Sequence, residues 1–170
     1  MSDQKKSALG FLTVINDSAK GLFGGYLILN PAGRPVEFHC TAPVRPNRAQ
    51  QILYGATLEP FLYGEQIAKT LIEKSKITPR AICVDLWSIL CVRPMISVPV
   101  LIVESEKPDA SASLSENEFL WNGHLLRAAR ENAEDILEMK ACLEELLIGF
   151  NLLEPFQRIR EAIAEAQKAV

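Results

Sequence analysis

No run of apolar residues in this 170-residue chain approaches the roughly 20 that a membrane helix requires, so no membrane-spanning role is expected. Histidine is scarce, at two residues, and neither a CxxC nor an HxxxH pair occurs. That spacing excludes the usual zinc arrangements. The four cysteines, Cys40, Cys83, Cys91 and Cys142, are widely separated and mostly flanked by apolar residues, which fits reduced thiols better than a disulfide framework and predicts a cytoplasmic setting. The polar stretch Met1 to Lys6 leads only into a short apolar run at Ala8 to Ile15, so neither a signal peptide nor a transit sequence is expected. No solenoid-type repeat is found. The chain also lacks a basic excess, with 18 Lys/Arg against 21 Asp/Glu. Nucleic-acid binding by net charge alone is thereby disfavoured. The charge is unevenly shared, however: residues 1–80 hold ten Lys/Arg against six Asp/Glu and residues 81–170 eight against fifteen, leaving a local basic patch around Lys20, Arg34, Arg45 and Arg48.

What is present suits one globular domain, since 48% hydrophobic residues exclude wholesale disorder and 170 residues can bury a real core. Gly10 to Asn16 reads as a first strand closed by the turn-like Asp17-Ser18. Tyr26 to Asn30, the turn Asn30-Pro31-Ala32-Gly33-Arg34 and a returning strand form a hairpin, in which alternation puts Val36, Phe38 and Cys40 on the core side and Glu37 with His39 on the solvent side. His39 and Cys40 then point apart and cannot share a proton. Gly21-Leu22-Phe23-Gly24-Gly25 precedes a strand rather than a helix, so it reads as flexibility or a β-bulge and not as a nucleotide loop. Helix begins near Asn47, a fitting N-cap, and restarts at Thr57 with Pro60 in the first turn. Ala81 to Asp85 is a buried strand with a polar end, Trp87 to Val92 one or two helical turns, and Val100 to Glu104 the last strand. Residues 105–118 are a polar connection and the expected mobile segment. Leu125 to Ile148 keeps helical spacing to Gly149, and Asn151 with Glu154 has capping-box spacing ahead of a final amphipathic helix.

The expected class is therefore α+β: an antiparallel hairpin plus additional strands in one mixed sheet packed by helices, with a C-terminal helical hairpin. The division is a mixed core at 1–104, the connection at 105–118 and the helical hairpin at 119–170, packed on the core or on a partner.

Three acids stand out. In a regular helix from Thr57 to Lys74, Glu65 falls on the apolar side with Leu58, Phe61, Leu62, Ala68, Leu71 and Ile72. A carboxylate buried there requires a partner: Lys69 one turn later, an arginine such as Arg93, or a metal. Asp85 and Asp17 sit at strand ends, where Asp17 also reads as a turn residue. Arg45, Asn47 and Arg48 at a helix start form an anion-binding set for phosphate, carboxylate or a small-molecule regulator, against the plainer reading of a cap with solvated arginines.

The order of strands and helices, with Asp17, Glu65 and Asp85 on the first strand, the first long helix and the end of the fourth strand, resembles the ribonuclease H-like superfamily. That resemblance covers residues 10–104 and implies divalent metal, Mg²⁺ or Mn²⁺, held by these acids for phosphodiester cleavage. Asp17 departs from the pattern by lying at the end of the strand and not within it. The leading expectation is nevertheless a non-catalytic intracellular protein-interaction or assembly module without cofactor, engaging a protein partner or a second copy through its C-terminal helices. The alternative is the metal-dependent, nuclease-like hydrolase using Glu65, Asp85 and Asp17, and nucleic acid is a partner only under that alternative.

Overall fold

β1 (Leu9–Asp17) is apolar on both faces, because it lies near the middle of a seven-stranded sheet and is covered from either side. It pairs antiparallel with β2 (Gly21–Leu29), which pairs antiparallel with β3 (Pro35–Cys40). On its other flank it runs parallel to β4 (Ala81–Val84), followed by parallel β5 (Val100–Glu104). β7 (His124–Ala128) and β6 (Glu118–Trp121) complete the order β3-β2-β1-β4-β5-β7-β6. A computed structural model describes residues 7–105, 113–146 and 149–169. The readings of Met1 to Lys6 and of residues 106–112 in the polar connection fall outside the described residues.

The mixed α+β class expected from the sequence is the one found. One face of the sheet carries α2, residues 58–74, and the short α3 (Trp87–Leu90), over a core including Leu12, Tyr26, Ile82, Ile67 and Leu71. The other carries α4 (Asp135–Glu144) and α5 (Glu154–Lys168), over Phe11, Leu27, Cys83, Met139 and Phe156. α1 (Arg48–Tyr54) precedes α2 and buries no residue; Asn47 caps it with Gln50 in a reciprocal box, as its position predicts.

Gly24 and Gly25 have a purpose other than flexibility. A Cβ at Gly24 would come 2.2 Å from Ile67 of α2, and one at Gly25 would come 2.2 Å from Ile159 of α5. Helices press on β2 from both faces at adjacent residues, and only glycine leaves room. The register irregularity lies further along, between Ile28 and Leu29.

Three local expectations are corrected. β3 is turned over: Val36 and Phe38 are 42% and 38% exposed and Cys40 is exposed, whereas Glu37 and His39 face inward. Glu37 accepts N–H bonds from Lys76 at 2.7 Å and Ile77 at 3.0 Å and pairs with His39 at 2.6 Å, so a polar face satisfies the backbone that follows α2. The continuous helix read from Leu125 to Ile148 is β7, a single-turn connection and α4. β6 and β7 meet at Asn122-Gly123, both with positive φ, the Asn-Gly hairpin signal that alternating apolar flanks should have marked. Asn151 accepts from Leu153 N at 2.9 Å as a local turn and makes no capping box.

Among the described residues the most deeply buried carboxylate is Asp135, at 3% exposure. Arg93 grips it through Nε at 2.6 Å and a second nitrogen at 3.1 Å while also donating to the Ile96 carbonyl. The Arg93 pKa is held above its ordinary value chiefly by that bond. Replacing Asp135 by Ala leaves the guanidinium of Arg93 unpaired, and a loss of about 3–5 kcal/mol in urea unfolding is expected. Gly25→Ala is expected to cost about 1–3 kcal/mol in the same measurement; an unchanged midpoint would mean that α5 does not rest on β2 as described.

Candidate functional site

The three sequence-selected acids are not brought together. Residues Phe61–Ala68 of α2 form a π-helical stretch, with the Lys69 N–H bonded to the Gly64 carbonyl. The wider turn moves the buried positions from Leu62 to Ile67, five residues on, and then to Leu71, four on. Glu65 is rotated outward and exposed, which corrects its expected burial. Lys69 pairs with Glu73 at 3.8 Å and Arg93 with Asp135, so the expected partners of Glu65 are engaged elsewhere.

Asp17 ends β1 and accepts the backbone N–H groups of Ala19 and Lys20, both at 2.8 Å. Those bonds, the Lys20 bond foremost, hold its pKa below the ordinary value, as for a turn-closing residue. The anion-binding set is likewise occupied. The Asn47 side chain accepts from Gln50 N, Arg45 Nε donates to the Lys20 carbonyl at 2.9 Å, and Arg48 reaches Gln51 at 3.3 Å. Arg45 therefore ties the β1–β2 turn to the segment before α1.

Asp85 remains. It follows the last residue of β4, and since Leu12 is paired with Val84, the next residue of β1, Thr13, lies beside it on the face covered by α5. Asp17 is four residues further along β1, about 13 Å at the rise of a strand. The Asp85 side chain is 10% exposed and Oδ2 accepts from Arg160 of α5. Oδ1 is buried, with the Thr13 hydroxyl as its neighbour and neither atom bonded to any other group. Burial pushes the carboxyl upward, against the opposing pull of Thr13 and the Arg160 charge. A cavity of about 380 Å³ opens here, lined by Asp85, Val103, Glu104, Ser105 and Leu153. It lies outside the carboxyl ends of the parallel strands, where ligands of α/β sheets collect. Thr13, Arg160 and Glu104 escaped the sequence reading; parallel pairing of β1 with β4 would have pointed to Thr13, while Arg160 depends on how α5 crosses the sheet.

No family model matches the chain, and no curated protein is similar to it in sequence. Among solved structures, human ENDOV is similar over 94% of this chain and 85% of that one, at 14% identity and a TM-score of 0.52. Endonuclease V of Ciona intestinalis, in complex with a 23mer DNA containing an inosine, is matched over 59% of this chain and 46% of its own, at 13% identity and a TM-score of 0.41. Argonaute of Marinitoga piezophila, in complex with a 5' OH guide RNA, is matched over 79% of this chain and 25% of its own, at 13% identity and a TM-score of 0.39. The chain thus spans less than half the length of the Ciona protein. The fold resembles the ribonuclease H-like class, as the element order implied. Human ENDOV shares this fold, and that likeness overturns the leading expectation of a non-catalytic interaction module.

The donors at Asp85 do not fit the divalent metal pair that the fold class implies. Asp85 is already joined to a guanidinium and Glu104, in the same lining, pairs with Arg127, and among the described residues no group of three or more His, Cys, Asp and Glu is gathered.

Because burial raises the Asp85 pKa above 3.8, the folded chain keeps a proton over a range where the unfolded chain has released it. The stability so contributed is complete below 3.8 and is lost as pH rises through the folded value. Urea unfolding of wild type and Asp85→Asn from about pH 3 to pH 7 should show wild type losing ground to the variant as pH rises. A difference that stays flat with pH would show that Asp85 is not desolvated.

Proposed function

We propose that this chain is a nuclease-like domain acting on the phosphodiester backbone of nucleic acid at the carboxyl end of β4. The observation that carries the reading is Asp85: a carboxylate nine-tenths buried, held between the Arg160 guanidinium and the Thr13 hydroxyl, at the topological switch point of a fold similar to that of human ENDOV. Arg160 supplies the complementary charge, since a guanidinium suits two phosphate oxygens as well as it suits a carboxylate. When Arg160 turns to a phosphate, Asp85 is left as a desolvated carboxylate beside the Thr13 hydroxyl. In that state Oδ2, released by Arg160, can accept a proton from a water attacking phosphorus, while the leaving oxygen takes its proton from solvent. The acidic balance of the chain makes this a matter of local contacts and not of a broad basic surface.

The test is incubation of the protein with end-labelled single-stranded and duplex DNA and RNA, with Mg²⁺, with Mn²⁺ and with chelator, read on denaturing gels. Strand cleavage is expected, falling about 100-fold or more in Asp85→Asn while circular dichroism is retained. Substrates left intact under all conditions, or cleavage equal in wild type and Asp85→Asn, would sink the reading.

A further inference from the structure

Trp87 stands two residues beyond Asp85 at the start of α3 and is 51% exposed. An indole of that size is not left in water without cost, and the helices on its side of the sheet do not cover it. The Arg127 guanidinium of β7 lies 5.6 Å from the centre of its ring, in stacking range. Arg127 Nε is buried between the carboxylates of Glu104 and Glu118, which pair with it at 3.5 and 3.7 Å and hold the guanidinium in place. Trp87 and Arg127 line a cavity of about 670 Å³, which also takes in Asn117, Glu118 and Arg130. Clefts for small ligands span roughly 300–1,000 Å³, so the space holds a planar ring system with room to spare.

We propose that Trp87 and Arg127 form the floor of a subsite for one unpaired nucleobase of a single-stranded nucleic acid, in a cavity separate from the one at Asp85. The inference rests on the nucleic-acid reading above and adds to it a strand type and a base contact. The exposed π-face offers stacking to any base. Glu118, in the lining of the same cavity, accepts from an exocyclic amino group of the base. The lining also decides against a phosphate: Glu116, Glu118 and Glu131 outnumber Arg127 and Arg130, so a neutral base is favoured over an anion. A paired base keeps its faces within the stack and cannot use such a floor.

The test uses fluorescence in Trp121→Phe, where Trp87 is the sole indole because the chain has two tryptophans. A short single-stranded oligonucleotide is titrated against an abasic strand of equal length. Quenching by the base-bearing strand alone is expected, with affinity by anisotropy falling about tenfold or more in Trp87→Ala and largely regained in Trp87→Phe. Equal affinity of wild type and Trp87→Ala, equal binding of the abasic strand, or no binding of any strand overturns the subsite. Quenching without strand cleavage would remove the hydrolytic reading and leave the subsite standing. Cleavage indifferent to Trp87→Ala would do the reverse.

Discussion

The central constraint on this molecule is that β1 and β4 are buried on both faces. Parallel strands so placed must be covered from two sides, and the chain meets this with α2 and α3 on one face and α4 and α5 on the other. Each covering element brings its own condition. α2 and α5 require the glycine pair in β2, and α4 arrives with Asp135 in its first turn, which must find Arg93 or stand as an isolated buried charge. The ion pair thus ties α4 to the segment that leads into β5, and Val100 N approaches the same carboxylate at 3.4 Å.

Much of the first half was legible because its signals are local. Alternation and turn chemistry are written in neighbouring residues, so β1, the β2–β3 hairpin, the Asn47 cap and the polar end of β4 can be read from the chain. What was not legible depended on a change of period or on long-range contact. Glu65 looked buried because a helix of constant period was assumed, and one extra residue in the turn puts Ile67 where that period leaves a carboxylate exposed to the core. The apolar residues of β3 alternate cleanly and so imitate a core face, yet as an edge strand it yields its inner face to Glu37, whose bonds to Lys76 and Ile77 lie some 40 residues away in the chain. The β6–β7 hairpin was absorbed into a helix although Asn122-Gly123 announces it, since Leu125, Ala129 and Ala133 also satisfy a helical spacing.

The site follows the same division. Asp85 could be singled out by its place at a strand end, but its chemistry is made by Thr13 across the β1–β4 ladder and by Arg160 on a helix 75 residues later. Neither partner carries a sequence motif. A fold similar to that of human ENDOV here pairs Asp85 with a guanidinium, and the other two acids have been drawn into a turn and onto an outer surface.

Ile159, which rests over Gly25, is the immediate neighbour of Arg160 in α5. The depth at which the helix settles into β2 therefore governs how far the guanidinium extends over the carboxylate at the end of β4. A residue with no side chain thus sets the electrostatic state of one that has a charge, and the polarity of the opening at β4 is adjusted by steric clearance two strands away.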